Sequence, residues 1–140
     1  MTTCLYTHPA CLEHDPGRHH PESPARLRAV LTALGEPEFA RLERREAPEA
    51  TFDDLLRAHS RHHIEHILGA VPRSGHVGID ADTVLSPASG TAALRAAGAV
   101  TAAVDAVVSK MGCQLVYTVS TWRSRSISTR SGSDFGSAGV

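Results

Sequence analysis

Aromatic side chains are scarce in this chain: Phe, Tyr and Trp together make up 4% of its 140 residues. A core built with so few rings must come from aliphatic and alanine contacts, and one chain of this length has room for a single modest core. No unbroken apolar run approaches the roughly 20 residues of a bilayer span, so no membrane association is expected. The N-terminus, MTTCLYTHPA, lacks the basic and apolar regions of a secretory signal. Excess charge of either sign is also missing. A net charge of -1 gives no basic surface for nucleic acid or anionic lipid. Cysteine is limited to Cys4, Cys11 and Cys113, with no C-x-x-C pair. That excludes a zinc knuckle and suits three free thiols in a reducing cytoplasm.

What is present is ordinary globular material, with 41% hydrophobic and 21% charged residues. Thr3 to His8 suits a short strand, and Pro9 to Pro21 reads as a polar loop carrying His14, His19 and His20. Ser23 followed by Pro24 marks a helix start, a hydroxyl N-cap before a proline at the first helical position. Leu27, Val30, Leu31 and Leu34 then form one apolar stripe, and Gly35 ends the helix. Leu42 to Ala47 reads as a charged edge strand. Thr51 with Asp54 resembles a capping box for a short helix through Ala58. Ser60 caps a second helix, Arg61 to Ala70, whose buried side is Ile64, Ile67 and Leu68. Pro72, Gly75 and Gly78 make Val71 to Gly78 a loop. Ser89 to Ser109 is a long helix of small residues, in which Gly98 permits close packing. A strand is expected within GCQLVYTVSTW, where Leu115, Tyr117 and Val119 alternate with polar neighbours. The final Ser-, Arg- and Gly-rich stretch has little to bury and is expected to be disordered. Its arginines could serve RNA, but they lack the aromatic partners of a single-strand binder.

Histidine is the conspicuous residue. Four of the nine lie in HSRHHIEH, residues 59 to 66, and His62, Glu65 and His66 spell H-x-x-E-H. In zinc hydrolases that inverted pattern places two metal-binding histidines one helical turn apart. Here both lie beside the Ile64, Ile67 and Leu68 stripe, towards solvent, and no third ligand is identifiable. A histidine-rich surface helix is the better reading. The loop histidines, His14, His19 and His20, likewise lack a rigid framework for a metal.

The loop carries a more specific signal. HDPGRHHPESPAR, with His20-Pro21-Glu22, Pro24 and Arg26, resembles the opening of the histone deacetylase family, which also includes acetylpolyamine amidohydrolases and acetoin-utilisation proteins. DDLLRAHSRHHIEHI is similar to a later family segment, with His59 and His63-Ile64 at packing positions. GIDADTVLSPASGTAALRAAGAVTAAVDAVV resembles the Asp-x-Asp-Thr loop and alanine-rich helix of bacterial members. The three occur in the family's order across about residues 3 to 110.

The resemblance implies an α/β arginase–deacetylase fold, a mainly parallel sheet between helical layers. It implies hydrolysis of the acetyl-amide of an acetylated lysine or polyamine. Zn²⁺ held by two aspartates and a histidine would polarise the carbonyl, assisted by a histidine pair. Arg26 matches an arginine lining an internal channel, able to hold acetate with its guanidinium fork. Asp80 matches a rim aspartate that accepts hydrogen bonds from substrate, with Asp82 as the competing choice. The family's Gly-His-His is expected near residues 115 to 130, where no histidine occurs. The expectation is therefore a partial deacetylase-like domain over residues 1–111, with a non-family tail over 112–140 and no activity of its own. A small helical binding module and a histidine-based metal-binding protein are the alternatives.

Overall fold

The computed structural model describes residues 2–18 and 20–109 in full and the backbone of residues 113–117. The expected disorder of the Ser/Arg-rich tail lies outside the described residues. Strand β1 (Thr2–Thr7) lies between β2 (Glu43–Glu46) and β5 (Cys113–Tyr117) in a parallel sheet of order β2-β1-β5. Cys4 pairs with Glu43 on one side and with Leu115 on the other. A second, two-stranded antiparallel sheet joins β3 (Val77–Gly78) to β4 (Val84–Leu85). Among the described residues four helices connect the strands: α1 (Pro24–Ala33), α2 (Phe52–Leu56), α3 (Arg61–Gly69) and α4 (Ser89–Val108).

Parallel neighbours require crossover connections, which cover the sheet on both faces. Alternation along β1 shows this. Cys4 and Tyr6 point towards Ala99 and Ala103 of α4, while Leu5, on the opposite face, is fully buried as well. Alanines on α4 let the helix approach the sheet closely, and they supply the core that aromatics do not. The edge strand β2 is almost wholly charged, which protects its outer side against pairing with other chains. Its Arg45 donates to the Tyr6 hydroxyl at 3.0 Å and pairs with Glu43 at 2.7 Å.

Local sequence explains most boundaries. The Ser23 hydroxyl accepts from the Arg26 N–H to start α1. Thr51 and Asp54 form the capping box of α2, and the Thr51 hydroxyl and N–H hold the Asp54 carboxyl below the usual aspartate range. The Ser60 hydroxyl accepts from the His63 N–H at the start of α3. At Gly98 a Cβ would lie 2.1 Å from the Pro48 carbonyl oxygen and 2.7 Å from the Ala50 nitrogen. The backbone of residues 48–50 therefore presses directly on α4, and the partner that Gly98 admits is a loop. Ala50 N–H donates to the Leu94 carbonyl at 3.0 Å across the same contact. Arg95 donates to the Ala47 carbonyl at 2.9 Å and pairs with Glu49 at 3.3 Å.

Several expectations are corrected. Pro9–Leu12 is a 3₁₀ helix inside the expected loop, capped by His8, whose Nδ1 accepts from Ala10 N–H. Proline at its first position and the His8 side chain make that turn. The β3–β4 hairpin begins within the segment read as loop, because two-residue strands carry no periodicity. On α1 only Leu27 of the expected stripe is buried and Val30 is 40% exposed. The helix rests on the 3₁₀ turn rather than lying full length on the core. Cys4 is joined in a disulfide and Cys11 is free and buried. The expectation of three free thiols is corrected at Cys4. By length and composition α4 is apolar enough to cross a membrane, a test that a core helix also passes, and here its Ala99 and Ala103 pack on the sheet.

Candidate functional site

In open α/β sheets, clefts form beyond the carboxyl ends of strands, where neighbouring connections leave in opposite directions. Here that place is the end of β1, since the chain goes to β2 on one side and later returns to β5 on the other. The segment that leaves β1 there runs from His8 to Ser23. His8 ties it to the end of β2, with Nε2 3.3 Å from a Glu46 carboxylate oxygen.

Beyond the 3₁₀ turn the segment reaches the N-terminus of α4. His14, only 9% exposed, places Nδ1 2.7 Å from the Ser89 hydroxyl oxygen. That oxygen also accepts the Ser86 N–H at 2.7 Å. The Ser86 hydroxyl in turn accepts the Asp15 N–H at 3.2 Å. Ser86 and Ser89 are both buried. On the other side of the ring, His14 Nε2 has a Glu22 carboxylate oxygen at 3.8 Å, too long for a hydrogen bond, and is buried without a partner. Burial holds the His14 pKa below its ordinary value, against the opposing pull of Glu22. Burial thus favours the neutral imidazole, which also suits the positive end of a helix dipole.

Two further histidines fasten the same segment. His20 Nε2 lies 2.9 Å from the Asp82 carbonyl oxygen, and its Nδ1 accepts the Glu22 N–H at 3.2 Å. His76 Nε2 lies 2.9 Å from the Asp15 carbonyl oxygen. Gly17, at φ +108°, makes the turn between them, where a side chain would be strained. The region is thus a buried His14–Ser89–Ser86 junction with clasps at both flanks. As a nucleophilic site it fails, because Ser89 is inaccessible to substrate.

The residues singled out by sequence lie apart from that junction. Arg26 is exposed on the first turn of α1. Asp80 and Asp82 are exposed in the turn between β3 and β4, where an Asp80 carboxylate oxygen accepts the Asp82 N–H at 2.8 Å. His62 and His66 are exposed on α3, their rings stacked with centroids 6.2 Å apart. His59 and His63 stack at 5.1 Å and line an apolar cleft of about 110 Å³ with Leu55, Ile64, Leu94 and Ala97. Among the described residues no three His, Cys, Asp or Glu side chains gather as a metal site. Two aspartates and a histidine in zinc-binding geometry are thus not found among them. Sequence reasoning missed Ser86 and Ser89. The S-x-x-S spacing before an alanine-rich helix was the available signal.

Residues 20–121 match the family described as the histone deacetylase domain. The chain is 38% identical over 88 residues to a histone deacetylase-like amidohydrolase of Pseudomonas aeruginosa, covering 63% of this chain and 22% of the relative. It is 37% identical over 82 residues to an uncharacterized protein of Synechocystis sp., covering 56% of this chain and 27% of that protein. The chain therefore spans about a quarter of the length of these curated relatives. The crystal structure of the HDA15 HD domain superimposes with a TM-score of 0.74 at 22% identity, over 84% of this chain and 35% of its own, a likeness of fold.

Proposed function

Since the chain belongs to the histone deacetylase domain family, we propose that it forms the first part of a hydrolase domain that cleaves acyl-amides, of acetyl-lysine or an acetylpolyamine. The observation that carries this reading is the family match over residues 20–121, which takes in Arg26, Asp80 and α4. In this reading Arg26 lines a channel that receives the released carboxylate, through its bidentate guanidinium. Asp80, or less well Asp82, sits at the rim and orients the substrate. The His14–Ser89 junction contributes rigidity: it fixes the segment leading to Arg26 against the core helix.

Zn²⁺ would supply Lewis-acid polarisation of the acyl carbonyl in a complete domain. The residues described here do not fit that metal, because no set of three donors converges, and no step is assigned through it. The 140 residues alone are accordingly proposed to be inactive. Purified chain should show no deacetylation of acetyl-lysine peptides or acetylpolyamines with Zn²⁺ added. Chelator-sensitive turnover would overturn that. The wider reading is tested by grafting residues 20–111 of this chain into the Pseudomonas amidohydrolase in place of the corresponding segment. The chimera should hydrolyse the parent's substrates, and Arg26→Ala should lower its turnover. A folded chimera with no activity would sink the proposal.

A further inference from the structure

The hairpin that carries Asp80 and Asp82 has little of its own to hold it in place. Strands β3 and β4 are two residues each, and a two-stranded hairpin is marginally stable by itself in water. Val77, Gly78 and both aspartates are exposed, whereas Leu85, at the base of the hairpin, is buried. Within the turn the Ile79 N–H donates to the Thr83 carbonyl at 2.9 Å, and the Asp82 N–H donates to an Asp80 carboxylate oxygen at 2.8 Å. These bonds set the shape of the turn. They do not set where it points.

Its direction is set from outside, by two histidines that exchange bonds between the hairpin and the segment leaving β1. His76, just before β3, reaches the Asp15 carbonyl, and His20 reaches the Asp82 carbonyl, each at 2.9 Å from Nε2. A carbonyl oxygen only accepts, so each Nε2 carries a proton. His20 Nδ1 accepts the Glu22 N–H at 3.2 Å, and the neutral Nε2–H tautomer satisfies both of its bonds at once. Asp82 is therefore held at both backbone groups, its N–H by Asp80 and its carbonyl by His20. One imidazole connects, through a single residue, to both carboxylates assigned to the rim.

We propose that His20 is a positioning residue for substrate binding: its bond to the Asp82 carbonyl fixes the Asp80–Asp82 turn at the rim before substrate arrives. The inference rests on the reading of that turn as the substrate rim. A turn already in place has little conformational freedom left to lose on binding, so the benefit falls on substrate affinity rather than on the chemical step.

Asparagine and glutamine divide the two bonds of His20. An Asn amide puts its oxygen near the place of Nδ1 and still accepts the Glu22 N–H, but it falls short of Asp82. A Gln amide reaches the place of Nε2 and donates to the Asp82 carbonyl. In the 140-residue chain, His20→Asn should speed hydrogen exchange at the Asp82 and Ile79 amides about tenfold, while His20→Gln keeps most of their protection. Equal protection in the parent and His20→Asn overturns the proposal.

The graft of residues 20–111 contains both ends of the tie. There His20→Asn should raise KM about tenfold with kcat changed less than about twofold, and His20→Gln should hold KM near that of the parent graft. A fall in kcat at unchanged KM, or equal losses in the two variants, overturns the proposal, since either marks a general structural role. An inactive parent graft would sink the proposed activity, and exchange in the 140-residue chain would then decide by itself whether His20 holds the turn.

Discussion

His14 and Ser89 meet at 2.7 Å although 75 residues separate them, and both side chains are buried. The contact joins the segment leaving β1 to the first turn of α4. Ser89→Ala removes the acceptor of the Ser86 N–H and the partner of His14 Nδ1 in one step. Leaving buried polar groups unpaired costs about 1–3 kcal/mol each, so a loss towards the upper end of that range is expected in urea titration. A loss below about 0.5 kcal/mol, as for an ordinary surface change, would show that the junction is dispensable.

The same histidine sets a pH dependence. Its folded pKa is lowered by burial, with His20 adding to the effect and Glu22 and Asp15 opposing it. The unfolded chain thus binds a proton that the folded chain resists. Stability from this group is full above the unfolded value near 6.5 and falls as pH drops below it. Denaturation midpoints measured from pH 8 down to pH 5 should decline, and His14→Gln should flatten that part of the curve. An unchanged slope in the variant would refute the assignment.

Gly98 and Gly69 give opposite expectations for one substitution. In a helix, Gly→Ala ordinarily stabilises by up to about 1 kcal/mol. Gly69 on α3 has open space where the Cβ would go, and it should follow that rule. Gly98 would drive its Cβ into the Pro48 carbonyl, so Gly98→Ala should destabilise by about 1–3 kcal/mol, the usual cost of overpacking. Melting temperatures of the two variants should move in opposite directions.

For His62 and His66, exposure and the lack of a third donor among the described residues both point to a passive surface pair. Replacing both with glutamine should change stability by less than about 0.5 kcal/mol. Zn²⁺ should leave the melting temperature of the parent chain unmoved. A metal-dependent rise that the double variant abolishes would restore the inverted zinc pattern.

Local signals in the sequence carried much of this fold. Ser23-Pro24, Thr51 with Asp54, and Ser60 each announce a helix through a cap that needs only neighbouring residues, and α1, α2 and α3 begin there. The edge character of Glu43–Glu46 was legible from charge alone. What escaped was non-local. No pattern near His14 reveals that Ser89 will complete it, and nothing near Gly98 reveals that a loop will cross there. Val30 has the right spacing for a core stripe, but where α1 rests decides its exposure. The family resemblance was readable from His20-Pro21-Glu22 and Arg26, because such motifs are local. The placement of Arg26 and Asp80 relative to a substrate is not, since it depends on how separate segments meet.

The position of β1 at the centre of its sheet has a consequence for the order of assembly. One flank is filled by β2, close behind it in the chain, while the other waits for β5, with α1 to α4 between them. Closing that long loop must precede the reward of the pairing, which makes it a slow event. A chain emerging from the ribosome therefore has its first strand made, and half satisfied, while almost everything else is still being translated. Through that interval β1 presents an open flank that a chaperone, or a neighbouring nascent chain, is free to take.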